Sequence, residues 1–245
     1  NGQIEAAVRQ ADHILADSAA TKLDLIEMLG VPDDKITVHM LGVDARFRPL
    51  APEILAASQR ELGLPDNYIL FVGTFEPRKN IIGLLQAYQQ VIKSLPEAPP
   101  LVLVGRRGWL FEETMTQIET LHLESRVIWR EDISDEMLPV VYNLATVLVL
   151  PSFYEGFGFP ALEAMACGTV TIVSNRSSLP EVVGNVGLQI DPDNIDALAV
   201  ALEQALTDTR WRETMRLTGL EQAKTFTWDK TASIVASVYE TLCKS

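Results

Sequence analysis

Two glutamates, Glu155 and Glu163, stand in Pro151-Ser-Phe-Tyr-Glu-Gly-Phe-Gly-Phe-Pro-Ala-Leu-Glu163, a run that is otherwise apolar and glycine-rich. A carboxylate accepts hydrogen bonds on both oxygens, which suits the vicinal hydroxyls of a ribose or a hexose. Spacing alone carries nothing, because Glu53/Glu61 and Glu213/Glu221 share it. Context separates the pairs. Those two fall in polar helical sequence, whereas Glu155 falls in a loop after an apolar strand and Glu163 in the first turn or so of a short apolar helix. Gly156 and Gly158 remove side chains where backbone N–H groups would meet a ligand. A carboxylate near a helix N-terminus is also favourable by a few tenths to about 1 kcal/mol without any ligand. That explains Glu163 and leaves Glu155 and the glycines unexplained.

Three further loops carry suggestive residues. In Gly73-Thr-Phe-Glu-Pro-Arg-Lys-Asn80 a glycine ends a strand, and Arg78 and Lys79 precede a helix. Adjacent cations there suit a phosphate; a solvated basic turn is the other reading. Gly105-Arg-Arg-Gly-Trp109 lacks the spacing of a dinucleotide fingerprint, so Gly105 either admits a nucleotide to the backbone or makes the turn. Glu131-Asp-Ile-Ser-Asp-Glu136 leads into a helix with Ser134 or Asp135 as expected N-cap, which a solvated helix start explains.

The elements that must position these loops alternate. Strands are expected at 68–72, 101–104, 126–129, 146–150, 169–173 and 187–190, several apolar throughout, as strands buried on both faces are. Helices are expected at 81–95, 111–121, 135–144 and 160–167, the last opened by Pro160 and closed by Gly168. The pattern predicts an α/β fold, a doubly wound parallel sheet, with ligands beyond the carboxyl ends of its strands. Before it, helix 4–12, strand 13–16, helix 21–29 and strand 35–39 are too few to bury a sheet. A proline-bearing stretch at 46–52 reads as a linker. Residues 1–45 are expected to be the tail of a preceding domain and 46–245 the main domain, making the chain the C-terminal half of something longer. Helices at 194–206, 210–224 and 228–242 are expected to close one side or to reach back.

The totals exclude several classes. With 47% hydrophobic residues the chain can fill a core, and its formal charge of −13 argues against nucleic acid. Apolar runs fall far short of a membrane span, and the expectation is a soluble, cytoplasmic protein. Cys167 and Cys243 form neither a disulfide framework nor a metal-ligand cluster, so a reducing compartment and no metal site are expected.

Glu155-Gly-Phe-Gly-Phe-Pro-Ala-Leu-Glu163, followed by residues 164–168, strongly resembles the signature of the family 4 retaining glycosyltransferases (glycosyl transferases group 1). Their GT-B architecture faces two Rossmann-like domains across a cleft. Ala11-Asp12 with Ser18 and Thr21, Leu29-Gly-Val-Pro32, Gly42-Val-Asp44 with Phe47, Phe71-Val-Gly73, Arg78-Lys-Asn80, Leu103-Val-Gly105, Tyr142, Pro151-Ser152 and Ser178-Leu-Pro-Glu181 fall in the family's order.

The resemblance implies a nucleotide-sugar-binding half. Lys79 with Arg78 would hold the donor diphosphate, Glu163 the ribose hydroxyls, and Glu155 hydroxyls of the transferred sugar in a binding and orienting role. Gly156, Phe157, Gly158 and Phe159, with Pro160, Ala161 and Leu162 of the following helix, would meet the sugar and phosphate. Gly73 and Thr74 would lie beside them, and Gly105 and Ile133 would border the nucleoside. The family needs no metal or other cofactor; the donor, a GDP- or UDP-sugar, is substrate. Thr74 stands where many members have arginine, and Arg78 is expected to substitute. Thr169 stands where proline is frequent, and Leu41 where asparagine is.

The expected activity is transfer of a hexosyl group to a saccharide, glycolipid or other acceptor, as in polysaccharide biosynthesis. The Glu-Pro-Arg-Lys-Asn form of the first loop resembles mannosyltransferases that use GDP-mannose. A missing N-terminal domain would supply the acceptor site and any peripheral membrane association, leaving this chain alone inactive in transfer. The alternative is a non-catalytic nucleotide-sugar-binding or assembly module of the same fold. A phosphorylase or epimerase fits less well, since no lysine signature for pyridoxal phosphate is present.

Overall fold

The computed structural model describes residues 2–243; positions 1, 244 and 245, the outer ends of the two expected domains, lie outside them. The first unit is α1 (Gly2–Gln10), β1 (Ile14–Ala16), α2 (Ala19–Leu29) and β2 (Ile36–Val38). Its two strands pair in parallel, Ile14 opposite Ile36, over a small cluster of Ala16, Val31 and Ile36. Ser18 caps α2 by accepting the Thr21 N–H, and Gly30 ends it in the left-handed conformation.

The larger unit runs α3 (Pro52–Leu62), β3 (Ile69–Val72), α4 (Ile81–Ser94), β4 (Leu101–Val104), α5 (Phe111–Thr120), β5 (Val127–Arg130), α6 (Leu138–Leu144), β6 (Val147–Leu150), α7 (Phe159–Cys167), β7 (Val170–Ser174), α8 (Leu179–Val183) and β8 (Leu188–Ile190). Then come α9 (Ile195–Thr207), α10 (Thr209–Ala223) and α11 (Trp228–Leu242). Six all-parallel strands lie in the order β5-β4-β3-β6-β7-β8. The expected strands appear in sequence order, and the doubly wound parallel sheet is what forms. Leu101–Val104 and Val147–Leu150 are buried residue for residue, because helices cover both faces. None of the described helices is long and apolar enough to cross a membrane.

The chain builds outward from β3 through β4 to β5, then returns to start β6 on the other side of β3. The sheet therefore reverses direction between β3 and β6, which is where a crevice opens in such folds. Leu70 is level with Leu148, so these neighbours end together, and the loops after Val72 and Leu150 meet over that crevice.

Four details differ from expectation. The helix expected from 135 begins at Leu138, with Met137 before it, so neither Ser134 nor Asp135 caps it; the Met137 N–H instead turns back to the Ser134 carbonyl at 3.0 Å. Glu163 lies beyond the first turn of α7, which holds no acidic residue, because Gly158 at φ 109° caps a helix that begins at Phe159. Residues 46–52 are not a loose linker: Phe47 is buried and meets Tyr142 edge-on at 5.9 Å. The short α8 had no expected counterpart. The last helix does reach back, with Thr231 donating to the Met40 carbonyl, and the turn before it adds a bond from the Val43 N–H to the Phe226 carbonyl.

Candidate functional site

Lys79 is a buried cation at the crevice. The turn Pro77–Lys79 leaves β3's loop, and Asn80 at φ 54° reverses the chain into α4, a conformation asparagine tolerates. This swings Lys79 inward to 6% exposure, where its Nζ donates to Glu155 Oε1 at 2.6 Å. Arg78 Nη1 donates to Glu155 Oε2 at 2.9 Å and to the Tyr154 carbonyl at 3.2 Å, while its Nε binds Glu76 at 2.8 Å. Ser152 Oγ donates to Glu155 Oε1 at 2.8 Å. Lys79 is thus buried and paired, while Arg78 stays exposed to solvent with its guanidinium held by two carboxylates.

Glu155, expected as a free wall for sugar hydroxyls, is first of all the anchor of two cations. Three of the roughly four acceptor positions on its carboxylate are filled, leaving one on Oε2. A buried ion pair is retained because deleting one partner strands a charge, at about 3–5 kcal/mol.

Beside this cluster, the N–H groups of Gly156, Phe157, Gly158 and Phe159 have no partner among the described residues. Phe157 and Gly158 are buried, and buried N–H groups in native proteins are paired with protein, water or ligand. They open onto α7, whose nine residues point their positive dipole end the same way. A Cβ on Gly156 would meet nothing within 4 Å, so the loop surface there is open. Ala161 and Leu162 leave this donor set: their side chains are fully buried and their N–H groups bind the Gly158 carbonyl at 3.0 and 3.3 Å. Pro160 has no N–H, and its part is to set the first turn.

Gly73 and Gly105 serve close packing. A Cβ on Gly105 would fall 2.0 Å from the Gly73 carbonyl oxygen, and one on Gly73 would lie 3.6 Å from Lys79 Nζ. The loops after β3 and β4 therefore lean together beside the lysine, with Phe75 N–H on the Arg106 carbonyl at 3.2 Å. Thr74 is half-buried next to Gly73. Ile133 follows β5, one strand further out, half-buried against the main core.

Glu163 has a different setting. Tyr142, buried on α6, donates its hydroxyl to Glu163 Oε2 at 2.8 Å, while Oε1 has no partner among the described residues. Burial holds the carboxyl above its ordinary value of 4.5, against the pull of the Tyr142 hydroxyl and Arg46. Partner and lone oxygen together make Glu163 an acceptor aimed with one side free.

Four neighbouring side chains hold the site residues in place. Ser152 orients Glu155, Tyr142 orients Glu163, and Ser177 and Ser178 hold the 155–157 loop, with Ser177 accepting the Glu155 N–H at 2.9 Å. Nothing in the residue types of Ser178 and Glu181 signals these contacts, since serine in a loop carries no mark of its partner.

Comparison with known proteins places the chain in a family. Residues 56–222 match the family described as Glycosyl transferases group 1. The chain is similar to the O-antigen chain mannosyltransferase B of Escherichia coli, 40% identical over 230 residues, covering 94% of this chain and 60% of that protein. It is similar also to the D-inositol 3-phosphate glycosyltransferase of Kribbella flavida, 30% identical over 248 residues, covering 97% of this chain and 58% of that one. The chain thus spans about 60% of the length of such curated relatives.

Among solved structures, sucrose-phosphate synthase from Thermosynechococcus elongatus superposes with a TM-score of 0.84 at 28% identity, over 98% of this chain and 61% of that one. HepE of Anabaena, in complex with UDP and glucose, gives 0.84 at 23%, over 98% and 65%. These neighbours are GT-B glycosyltransferases, and the chain shares their fold. By its sequence match, its sheet and the order of its loops, this chain belongs to the glycosyl transferases group 1 family.

Proposed function

We propose that this chain is the donor-binding half of a retaining hexosyltransferase that uses a nucleoside-diphosphate sugar. The observation that carries it is the buried Lys79, locked to Glu155 and set beside four unpaired N–H groups at the start of α7. Fixed cations and oriented amides in a crevice stabilise a departing diphosphate. Lys79 and Arg78 take its charge, Gly156 to Phe159 its oxygens, Glu163 Oε1 the ribose hydroxyls, and the remaining acceptor position of Glu155 a hydroxyl of the sugar. Gly73, Thr74, Gly105 and Ile133 border the nucleotide. In the transfer the bond from the anomeric carbon to the phosphate oxygen breaks and a bond to the acceptor oxygen forms on the same face. The acceptor proton passes to the leaving phosphate oxygen.

A mannosyl donor, GDP-mannose, is favoured by the 40% identity to a mannosyltransferase; a UDP-sugar is the second candidate, given the UDP bound in HepE. The acceptor is a saccharide or glycolipid held with the help of a further domain. A thermal-shift and calorimetric series with GDP, UDP, ADP and their sugars tests the reading. Binding of one nucleoside diphosphate, lost in Lys79→Ala, supports it; equal binding by that variant defeats it.

A further inference from the structure

Residues 177–181, Ser-Ser-Leu-Pro-Glu, make none of the donor contacts above, yet they grip the loop that does. Ser178, fully buried, shares its hydroxyl proton between the carbonyls of Glu155 at 2.9 Å and Phe157 at 2.8 Å. The carbonyl between them, that of Gly156, takes a longer bond of 3.4 Å from Thr21 Oγ1. No peptide bond here is cis, so each C=O opposes the N–H of the following residue across its peptide plane. Holding the carbonyls of residues 155, 156 and 157 therefore points the N–H groups of Gly156, Phe157 and Gly158 away from the serine and threonine. Three successive peptide planes are set by two hydroxyls.

Thr21 is itself fixed from the same five-residue segment. Glu181 accepts the N–H groups of Ala19 at 2.7 Å and Ala20 at 2.8 Å, and Ser18 accepts that of Thr21 at 3.0 Å. These N–H groups of the first turn have no acceptor within the α2 backbone, and two of them are capped by a residue far along the chain. Tyr154 adds a tie to Asp24 at 2.8 Å. Loop 154–157, residues 177–181 and the start of α2 thus close a ring.

We propose that residues 177–181 are a bracket that sets the peptide planes of the diphosphate loop, with Ser178 and Glu181 as positioning residues, Glu181 acting through α2 and Thr21. The inference rests on the donor-binding reading, which makes those N–H groups phosphate donors. The small β1–β2 unit becomes part of the anion site through it, although none of its described side chains bonds to the crevice cations. Movement of that unit alters the loop, and a bound diphosphate steadies α2.

The test uses the whole chain with Ser178→Ala, Glu181→Ala and Glu181→Gln. In the ligand-free state, 15N relaxation reads the order parameters of Gly156, Phe157 and Gly158, and calorimetry then reads GDP and UDP affinity. Ser178→Ala is expected to take the order parameters from about 0.85 to below about 0.6 and to weaken nucleotide binding about tenfold. Glu181→Ala lowers that of Phe157 from a distance, and Glu181→Gln, which keeps one acceptor oxygen, recovers part of it. Unchanged order parameters at 156–158 in both alanine variants, with mobility confined to residues 19–20, overturn the proposal. Should Ser178→Ala fail to fold, Thr21→Val loosens the same planes from the other side. If the wild-type chain binds neither nucleotide, the donor reading fails while the relaxation data still decide the bracket.

Discussion

Replacing Glu163 by glutamine separates what this residue costs the fold from what it gives a ligand. Tyr142 donates to one side of the group, so it selects the amide oxygen of the glutamine and turns the NH2 toward the open side. A ribose hydroxyl then meets a neutral donor where it had met a charged acceptor. Losing one charge-assisted bond costs about 2 kcal/mol, roughly a 30-fold weaker Kd. Stability moves the other way. Burial raises the carboxyl above its ordinary value, so the folded state holds the proton that the unfolded state releases. The stability of the native protein therefore falls as pH rises from the ordinary carboxylate range through the folded value, and the full cost persists above it. Glu163→Gln removes that cost: it is more stable than the native chain at neutral pH, with no such advantage below the ordinary range. Calorimetry at neutral pH and urea unfolding across pH 4 to 8 read both effects. Equal nucleotide affinity removes Glu163 from the ribose contact, and a variant less stable at neutral pH refutes the desolvation argument.

Other outcomes follow from single contacts. Glu155→Ala strands Lys79 in a buried site and costs about 3–5 kcal/mol by urea unfolding, while Ser152→Ala, which frees only one acceptor position, costs about 1 kcal/mol. Gly105→Ala drives a methyl into the Gly73 carbonyl, 2.0 Å away, and is expected to lose about 1–3 kcal/mol together with nucleotide binding. Tyr68→Phe leaves the buried Val141 carbonyl without the hydroxyl that now lies 2.6 Å from it, at about 1–3 kcal/mol. Cys243 is exposed, whereas burial pushes the Cys167 thiol up to about 12; a thiol reagent at pH 8 labels Cys243 alone until the chain unfolds.

The sheet was legible because its strands are short apolar runs between helical spacings, a pattern set by burial on both faces, as at Leu101–Val104. The glycine and proline around Phe159 marked α7 to within a residue, although the positive φ of Gly158, which starts the helix one position early, leaves no trace in residue types. Ser134 and Asp135 look like caps and are not, because Pro139 in the first turn lets α6 begin later. The α8 helix, five residues long, is too short to show a period. Within the site, the residue types of Glu155, Lys79 and Glu163 could be read. Their partners could not: Lys79 meets Glu155 only because β3 and β6 are neighbours across the switch in strand order, a tertiary fact. Ser178 and Glu181 matter for where their hydrogen bonds go, which composition does not encode.

The most direct test of donor binding is a titration of the 15N-labelled chain with GDP and with UDP. Binding of either should shift and protect the backbone amides of Gly156, Phe157, Gly158 and Phe159, and the effect should vanish in Lys79→Ala. Saturable binding that leaves those four amides untouched, or no binding of either nucleotide, would contradict it.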